Sequence, residues 1–448
     1  MMFCTGCKRS TTPSKTPQDP QAIAAALASE PQAAEIQSKL EAIRAAGYPI
    51  TLQELNRWIP PPAPSENTAP KWTNALAALI PMTNWVSAQY LTHRLTPQVR
   101  AILEPVVTTN QSALRALHEA AKDPRRGRYI LDWSPGWKTP LPYLAPIKRA
   151  AQTLLFEAVL RAGDGRTDEA VVSLLTMAAL ARSLEEQPSD IDQAVRAVVL
   201  IYLHKATEVL ANHNSLSASQ LAQLQELFQS YQQSEAANRA LVSERCLYIH
   251  LFLQPQQDIM ATLAEGAGSG FMPCSSNQIP TIVNAFEKDR GTEFLFMLNA
   301  MDNLISANNR SPGEFALALR SFTTQVEEQT RQPNGPTLST VIMSRGKGLS
   351  SRCIRLVQTL ALCRTAETAM ALERYRLGHA GQLPASLNTL APVYLNQVPL
   401  DPFNGQPLRF KRLPKGYAIY SVGADRQDDG AKQSGSDGTG DETFTVER

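Results

Sequence analysis

Cys246 and His250 stand one helical turn apart, the spacing at which an imidazole can take a proton from a thiol or the two can form half a metal site. Leu247, Tyr248, Ile249 and Leu251 surround them, and that pattern favours a helix packed in a core. Ser344 and Lys347 have the Ser-x-x-Lys spacing of a lysine-activated serine, but no companion Ser-Asp-Asn or Lys-Thr-Gly accompanies them. The glycine-rich stretch 266–270 lacks the Lys-Ser/Thr pair of a phosphate loop and follows no predicted strand. Neither Gly-x-Ser-x-Gly nor His-Glu-x-x-His occurs, and the six histidines are scattered. No catalytic or cofactor-binding residue is therefore assigned. Hard oxygen donors gather only near the C-terminus, as Asp425, Asp428, Asp429, Asp437 and Asp441 on a glycine-rich loop with Ser434. Calcium takes six to eight such oxygens, so these aspartates form a candidate calcium site, although EF-hand spacing is missing. A solvated acidic turn is the other reading.

The elements that would position these groups are bounded by composition. At 448 residues the chain is long enough for two or three domains, and its 43% apolar share can bury real cores. A formal charge of +2 argues against a nucleic-acid surface, which normally shows a strong basic excess. No run of apolar residues is long enough to span a bilayer; the best candidate, Ala194–Leu203, contains Arg196 and runs into His204 and Lys205. Thr5-Gly6-Cys7 resembles the end of a bacterial lipoprotein signal, in which small residues precede the lipid-accepting cysteine. That makes Cys7 a candidate for lipidation, and a frayed terminus with two unimportant thiols is the other reading. Cys4 stands where leucine is usual, and the apolar stretch of a signal is missing, as a start codon assigned too late would explain. Cys353 and Cys363 are ten positions apart on a predicted helix, about 15 Å, too far to bridge. Cys246 and Cys274 remain open as a pair or as buried thiols.

Residues 1–20 read as a polar tether and 21–340 as an α-helical array. Helices are expected on both sides of Pro31, after a Thr51/Glu54 capping box, over Lys71–Ile80, and near Pro97–Lys122. Leu154–Arg161 and Asp168–Leu184 follow, with Thr167 as N-cap of the second; further helices run from Ser189 to Leu210 and from Ser217 to Tyr231. This succession of antiparallel hairpins is tetratricopeptide-like in part, within an irregular array. Trp133, Trp137 and Tyr143, set among prolines, line a groove or tack a loop onto the core.

Residues 350–448 change character. A long helix carries apolar residues on two sides, with Ile354, Val357 and Ala361 opposite Leu356, Leu360 and Cys363, so it should be packed on both. Leu408–Arg412 and Tyr417–Val422 then alternate as strands joined at Lys415-Gly416. The order of pieces is Tyr375, Gly381 to Pro384, Pro399-Leu400-Asp401-Pro402 with Gly405, and Tyr420-Ser421-Val422-Gly423-Ala424-Asp425. This order resembles the globular domain of the type II secretion major pseudopilin, over roughly the last fifth of the chain. The preceding region is similar to uncharacterised bacterial helical proteins with the same tail. The resemblance implies an α+β module and a calcium-binding loop after Tyr420. It departs in one respect: the helix that would span a membrane lies mid-chain and carries Arg352, Arg355 and Arg364, so it should dock on the helical array instead of polymerising.

The expectation is a mainly α protein with a small C-terminal α+β module, acting as an extracytoplasmic, non-enzymatic scaffold of the bacterial cell envelope. Its partners are envelope proteins met through the helical surface, with membrane contact only through lipid on Cys7. Two rivals stand beside it. One is an enzyme whose site is assembled between the helical array and the C-terminal module. The other is a cytosolic helical regulator.

Overall fold

Proline, glycine and short polar residues punctuate the first two thirds of the chain, and the stretches between them are rich in alanine and leucine, which form helices at little entropic cost. The computed structural model describes residues 20–58, 60–81, 95–213, 215–232, 235–268, 274–331, 337–343, 348–435 and 439–447. Helices α1 (Pro20–Leu27) and α2 (Ala33–Ala45) flank Pro31, and α3 (Leu52–Trp58) follows. At its start the Glu54 amide donates to Thr51 Oγ1 while the Thr51 and Ile50 amides donate to the Glu54 carboxylate, a completed capping box. Next come α4 (Ala69–Ala77), α5 (Pro97–Thr109) and α6 (Gln111–Ala121).

The most heavily packed helices are α7 (Leu144–Gly163), α8 (Thr167–Arg182), α9 (Asp190–His213) and α10 (Ala218–Ser230). Two details differ from expectation. Helix α7 starts at Leu144, ten residues before the apolar run at Leu154, because Pro146 falls in the first turn, where a missing N–H costs nothing. Thr167 is the first residue of α8 and not its cap; Arg166 holds the cap position and makes no side-chain capping bond. Ser217 and Gln220 do form the expected capping box of α10. Then follow α11 (Ala236–Phe252), α12 (Gln256–Gly268), α13 (Ile279–Lys288), α14 (Arg290–Arg310), α15 (Pro312–Thr330), α16 (Leu338–Met343) and α17 (Leu349–Gly378).

The buried apolar side chains form two large clusters. One unites α4 to α10 with the C-terminal residues Leu387 to Val446. The other unites α1 and α2 with α11 to α16. Helix α17 belongs to both: Leu349, Cys353, Val357 and Ala361 sit in the second cluster, and Cys363, Ala366, Met370 and Leu372 in the first. From Thr365 to Glu373 every residue is buried, so the two-sided apolar pattern marks a helix enclosed by its neighbours. The expected docking on the helical array is observed; α17 packs on α9, α10 and α15.

Beyond α17 the chain forms a three-stranded antiparallel sheet, β1 (Arg409–Leu413), β2 (Gly416–Ser421) and β3 (Glu442–Glu447), in the order β1-β2-β3. The hairpin turns at Pro414 and Lys415, with Leu413 paired to Gly416. Strand β3 was not expected. Its free edge is closed by side chains of α9: the Thr445 amide donates to Glu208 Oε1 at 2.8 Å, Asn212 Nδ2 donates to the Thr445 carbonyl at 2.8 Å, and the Glu447 amide donates to Asn212 Oδ1 at 2.7 Å. An unpaired edge would otherwise leave backbone groups unsatisfied in a buried place.

Candidate functional site

The C-terminal module concentrates the features that the sequence singled out, and Asp401 explains why its motifs occur together. This buried carboxylate accepts from the Phe403 amide at 2.9 Å, from Ser421 Oγ at 2.8 Å and from the Val422 amide at 2.8 Å. One side chain thus staples the Pro-Leu-Asp-Pro turn to the Tyr-Ser-Val-Gly strand end. Gly423 follows with φ +67, and a Cβ there would lie 2.2 Å from the Gly440 carbonyl oxygen. Only glycine permits that approach of the two loop arms.

The acidic loop is held by its own carboxylates. Asp425 accepts from the Gln427 and Gly440 amides, Asp428 accepts from the Gly430 amide and pairs with Arg409 at 3.0 Å, and Asp441 accepts from the Ala431 amide at 2.7 Å. Burial pushes the Asp441 carboxyl up despite those amides, and the charges of Asp428 and Asp429 add to the shift. Asp429 is exposed, and Asp437 lies outside the described residues. Among the described residues no group of three or more acidic, histidine or cysteine side chains is arranged to hold an ion. Calcium would have to compete with backbone N–H groups for Asp425 and Asp441. The melting midpoint is accordingly expected to be the same in millimolar calcium and in chelator; a rise with calcium that disappears in Asp441→Asn would establish the site instead.

Helix α17 is fixed in place by charge as well as by packing. Arg352 Nε donates to the Asp190 carboxylate at the start of α9, and its Nη2 lies 3.4 Å from Glu244 Oε1 on α11. Both carboxylates are buried. Burial pushes the Glu244 carboxyl up, helped by the charge of Asp190 and opposed by Arg352. Farther along, Tyr417 of β2 donates to Glu373, and Arg374 donates to Gln225 of α10, which itself donates to the Tyr394 carbonyl. Sequence reading missed this seam, since its members are polar residues that a pattern search assigns to helix surfaces.

The chemically suggestive residues elsewhere are built into packing. Cys246 lies among Leu52, Leu55, Trp133 and Leu247, where burial pushes its thiol well up. Burial lowers His250 to about 4, and its Nε2 lies 3.1 Å from Gln254 Nε2. Low polarity thus opposes a thiolate–imidazolium pair from both sides. Cys246, Cys274, Cys353 and Cys363 are all free thiols. Trp133 and Tyr143 are buried, Tyr143 stacking on Tyr129 with centroids 4.0 Å apart and Trp137 packing on Tyr248, so the segment is anchored to the core. Ser344 and Lys347 fall outside the described residues, as do Cys4 and Cys7.

A second polar cluster borders a cleft of about 290 Å³ with Arg100, Arg115 and Arg166 at its margin. His118 bridges Thr176 at 2.7 Å and Glu157 at 2.9 Å, and Glu157 also accepts from Ser173 and Arg161. Activation of a serine requires contact with the imidazole. Here Ser173 faces the carboxylate instead, so the cluster braces α6, α7 and α8.

At the edge of the module the half-buried Tyr375 stacks on the exposed His379, with ring centroids 3.8 Å apart. Tyr394 meets Tyr375 edge-on at 5.7 Å, and the Arg374 guanidinium lies 5.8 Å from the Tyr394 ring. His379 is exposed, and the neighbouring Val393 is 75% exposed. No protein-family model, curated protein or solved structure matches the chain. Function must therefore be argued from these residues. No helix among those described is long and apolar enough to cross a membrane.

Buried carboxyls, Asp192, Glu442 and Glu244 among them, give the fold a pH signature. Asp192 accepts from Tyr143 Oη at 2.8 Å and burial pushes it up to about 7; burial also raises Glu442 to about 7, and Glu244 shifts in the same direction. In the unfolded chain such groups lose their protons near pH 4, so the stability that protonation confers is present below that and lost as pH rises through about 7. Burial lowers His204 and His250 to about 4, so their contribution has the opposite sign and is complete above about pH 6.5. Raising the pH from about 6.5 to about 8 should therefore lower the melting midpoint. Asp192→Asn should flatten that slope; an unchanged slope in this variant would show that Asp192 does not carry it.

Proposed function

We propose that this protein is an extracytoplasmic, non-enzymatic scaffold of the bacterial cell envelope, tethered through lipid on Cys7 and docking an envelope protein on the aromatic face of its C-terminal module. The observation that carries the reading is the exposed pair His379 and Val393, backed by the half-buried rings of Tyr375 and Tyr394 beside Arg374. Stacked aromatic rings with an arginine present large contact area at low entropic cost and are enriched at protein interfaces. The module that displays them is braced by α17, so the face is rigid before a partner arrives, which lowers the ordering cost of association. Its motif order resembles a secretion-system module, in keeping with an envelope setting, and Thr5-Gly6-Cys7 supplies the attachment.

Expression from the native locus, followed by fractionation and labelling with radioactive palmitate, tests this. The wild-type protein should carry label and sediment with membranes, and Cys7→Ser should lose the label and appear in the periplasmic fraction. Unlabelled protein in the cytosol for both forms would sink the reading and move the regulator ahead.

A further inference from the structure

Helix α9 turns a stripe of Gln193, Arg196, Ala197 and Leu200 toward a cleft of about 500 Å³. The cleft lies along the seam between the two cores. Its other walls are the end of α10 at Tyr231, the α14–α15 turn with Phe315, and the Leu356, Leu360 and Cys363 side of α17. The volume is that of an ordinary small-molecule pocket. Leu200, Phe315, Leu356, Val357 and Leu360 give the cleft an apolar side, while Arg196, Glu235, Asn308 and Arg310 are among its polar lining residues.

Arg196 is only 6% exposed, yet among the described residues its Nε and Nη2 have no hydrogen-bond partner. Glu185 Oε1 is 3.6 Å from Nη2, which balances charge without making a hydrogen bond. The Tyr231 ring lies beneath the guanidinium at 5.4 Å. A desolvated guanidinium with idle N–H groups is costly unless something accepts from it. Its planar fork matches the two oxygens of a carboxylate. Glu185 already offsets part of the charge, which suits a monoanion better than a doubly charged phosphate. The apolar walls suit a hydrocarbon body.

We propose that this cleft binds a monocarboxylate with an apolar body, its carboxylate on Arg196 and its hydrocarbon between α9, α15 and α17. The proposal goes beyond the scaffold reading and does not depend on where the protein resides. Decanoate is the probe, titrated calorimetrically into the full chain near pH 7, with acetate and decan-1-ol as controls for charge alone and apolar body alone. Decanoate should bind saturably and more tightly than either control, and Arg196→Met should weaken it by about tenfold or more. Absence of saturable decanoate binding, equal binding of decan-1-ol, or equal affinity in a folded Arg196→Met would overturn the proposal. Should Arg196→Met fail to fold, Leu360→Trp fills the cleft while leaving every residue of α9 unchanged. Lost decanoate binding in that variant supports the assignment, and undiminished binding overturns it.

Discussion

Arg352→Ala is expected to destabilise the folded chain by about 3–5 kcal/mol, the cost of removing one partner from a buried ion group. Asp190 and Glu244, both buried, would then face each other across α9 and α11 without the cation that reconciles them. Packing alone does not account for so large a loss, because the arginine stem is only a few methylenes. The control distinguishes the two contributions. Arg352→Met keeps most of the stem and should lose nearly as much stability, whereas combining it with Glu244→Gln should recover part of the loss by removing one stranded carboxylate. Urea unfolding of the three variants provides the measurement. A loss below about 1 kcal/mol in Arg352→Ala would mean that the seam is held by apolar contact and not by charge.

The second large effect is expected at Asp401. Asp401→Ala strands two backbone amides and the Ser421 hydroxyl inside the module, each of which donates to a carboxylate in the native fold. Charge-assisted bonds of this kind contribute about 1.5–3 kcal/mol singly and do not add fully, so a loss of about 4 kcal/mol is expected. Asp401→Asn should recover little, since its amide nitrogen would point a donor at donors. Both variants should shift the urea midpoint of the whole chain and not of the module alone, because the sheet shares a core with α7 to α10. A variant that melts only residues beyond α17 would contradict that coupling.

These two residues show what the sequence makes legible. Local signals were readable wherever a single segment contains its own explanation: Thr51 with Glu54, Ser217 with Gln220, the two apolar sides of α17, and a hairpin turn close to Lys415, one residue earlier than expected because Gly416 opens β2. Asp401 was visible as part of a motif, although its role as a staple depends on Ser421 and Val422, which reach it only through the fold. The Asp190–Glu244–Arg352 group was not visible, because its carboxylates lie 162 and 108 residues before the arginine and each occupies a helix of ordinary composition. Strand β3 escaped notice for a related reason. Thr443-Phe444-Thr445-Val446 is a short strand-forming run that follows the acidic loop, and its outer edge is completed by Glu208 and Asn212 from a helix more than 200 residues earlier. The same holds for Arg196, which reads as a break in an apolar run and proves to line a cleft.

The aspartates after Tyr420 show how a cluster of suitable residue types divides once the backbone is placed. Asp441 is buried and bonded to amides, Asp428 is paired with Arg409, and Asp429 is exposed. Composition alone weighed them equally. Burial and backbone geometry separate them, and those depend on the close crossing at Gly423 and Gly440.

The account turns on the C-terminal module being part of the array, with α17 as a shared core element. Native-state amide hydrogen exchange, read by mass spectrometry on the full chain, tests this directly. Amides of residues 362–373 and of β2 should open with the same free energy as those in the middle of α9. Exchange of residues 350–448 as a separate unit of lower stability, while α7 to α10 stay protected, would contradict it.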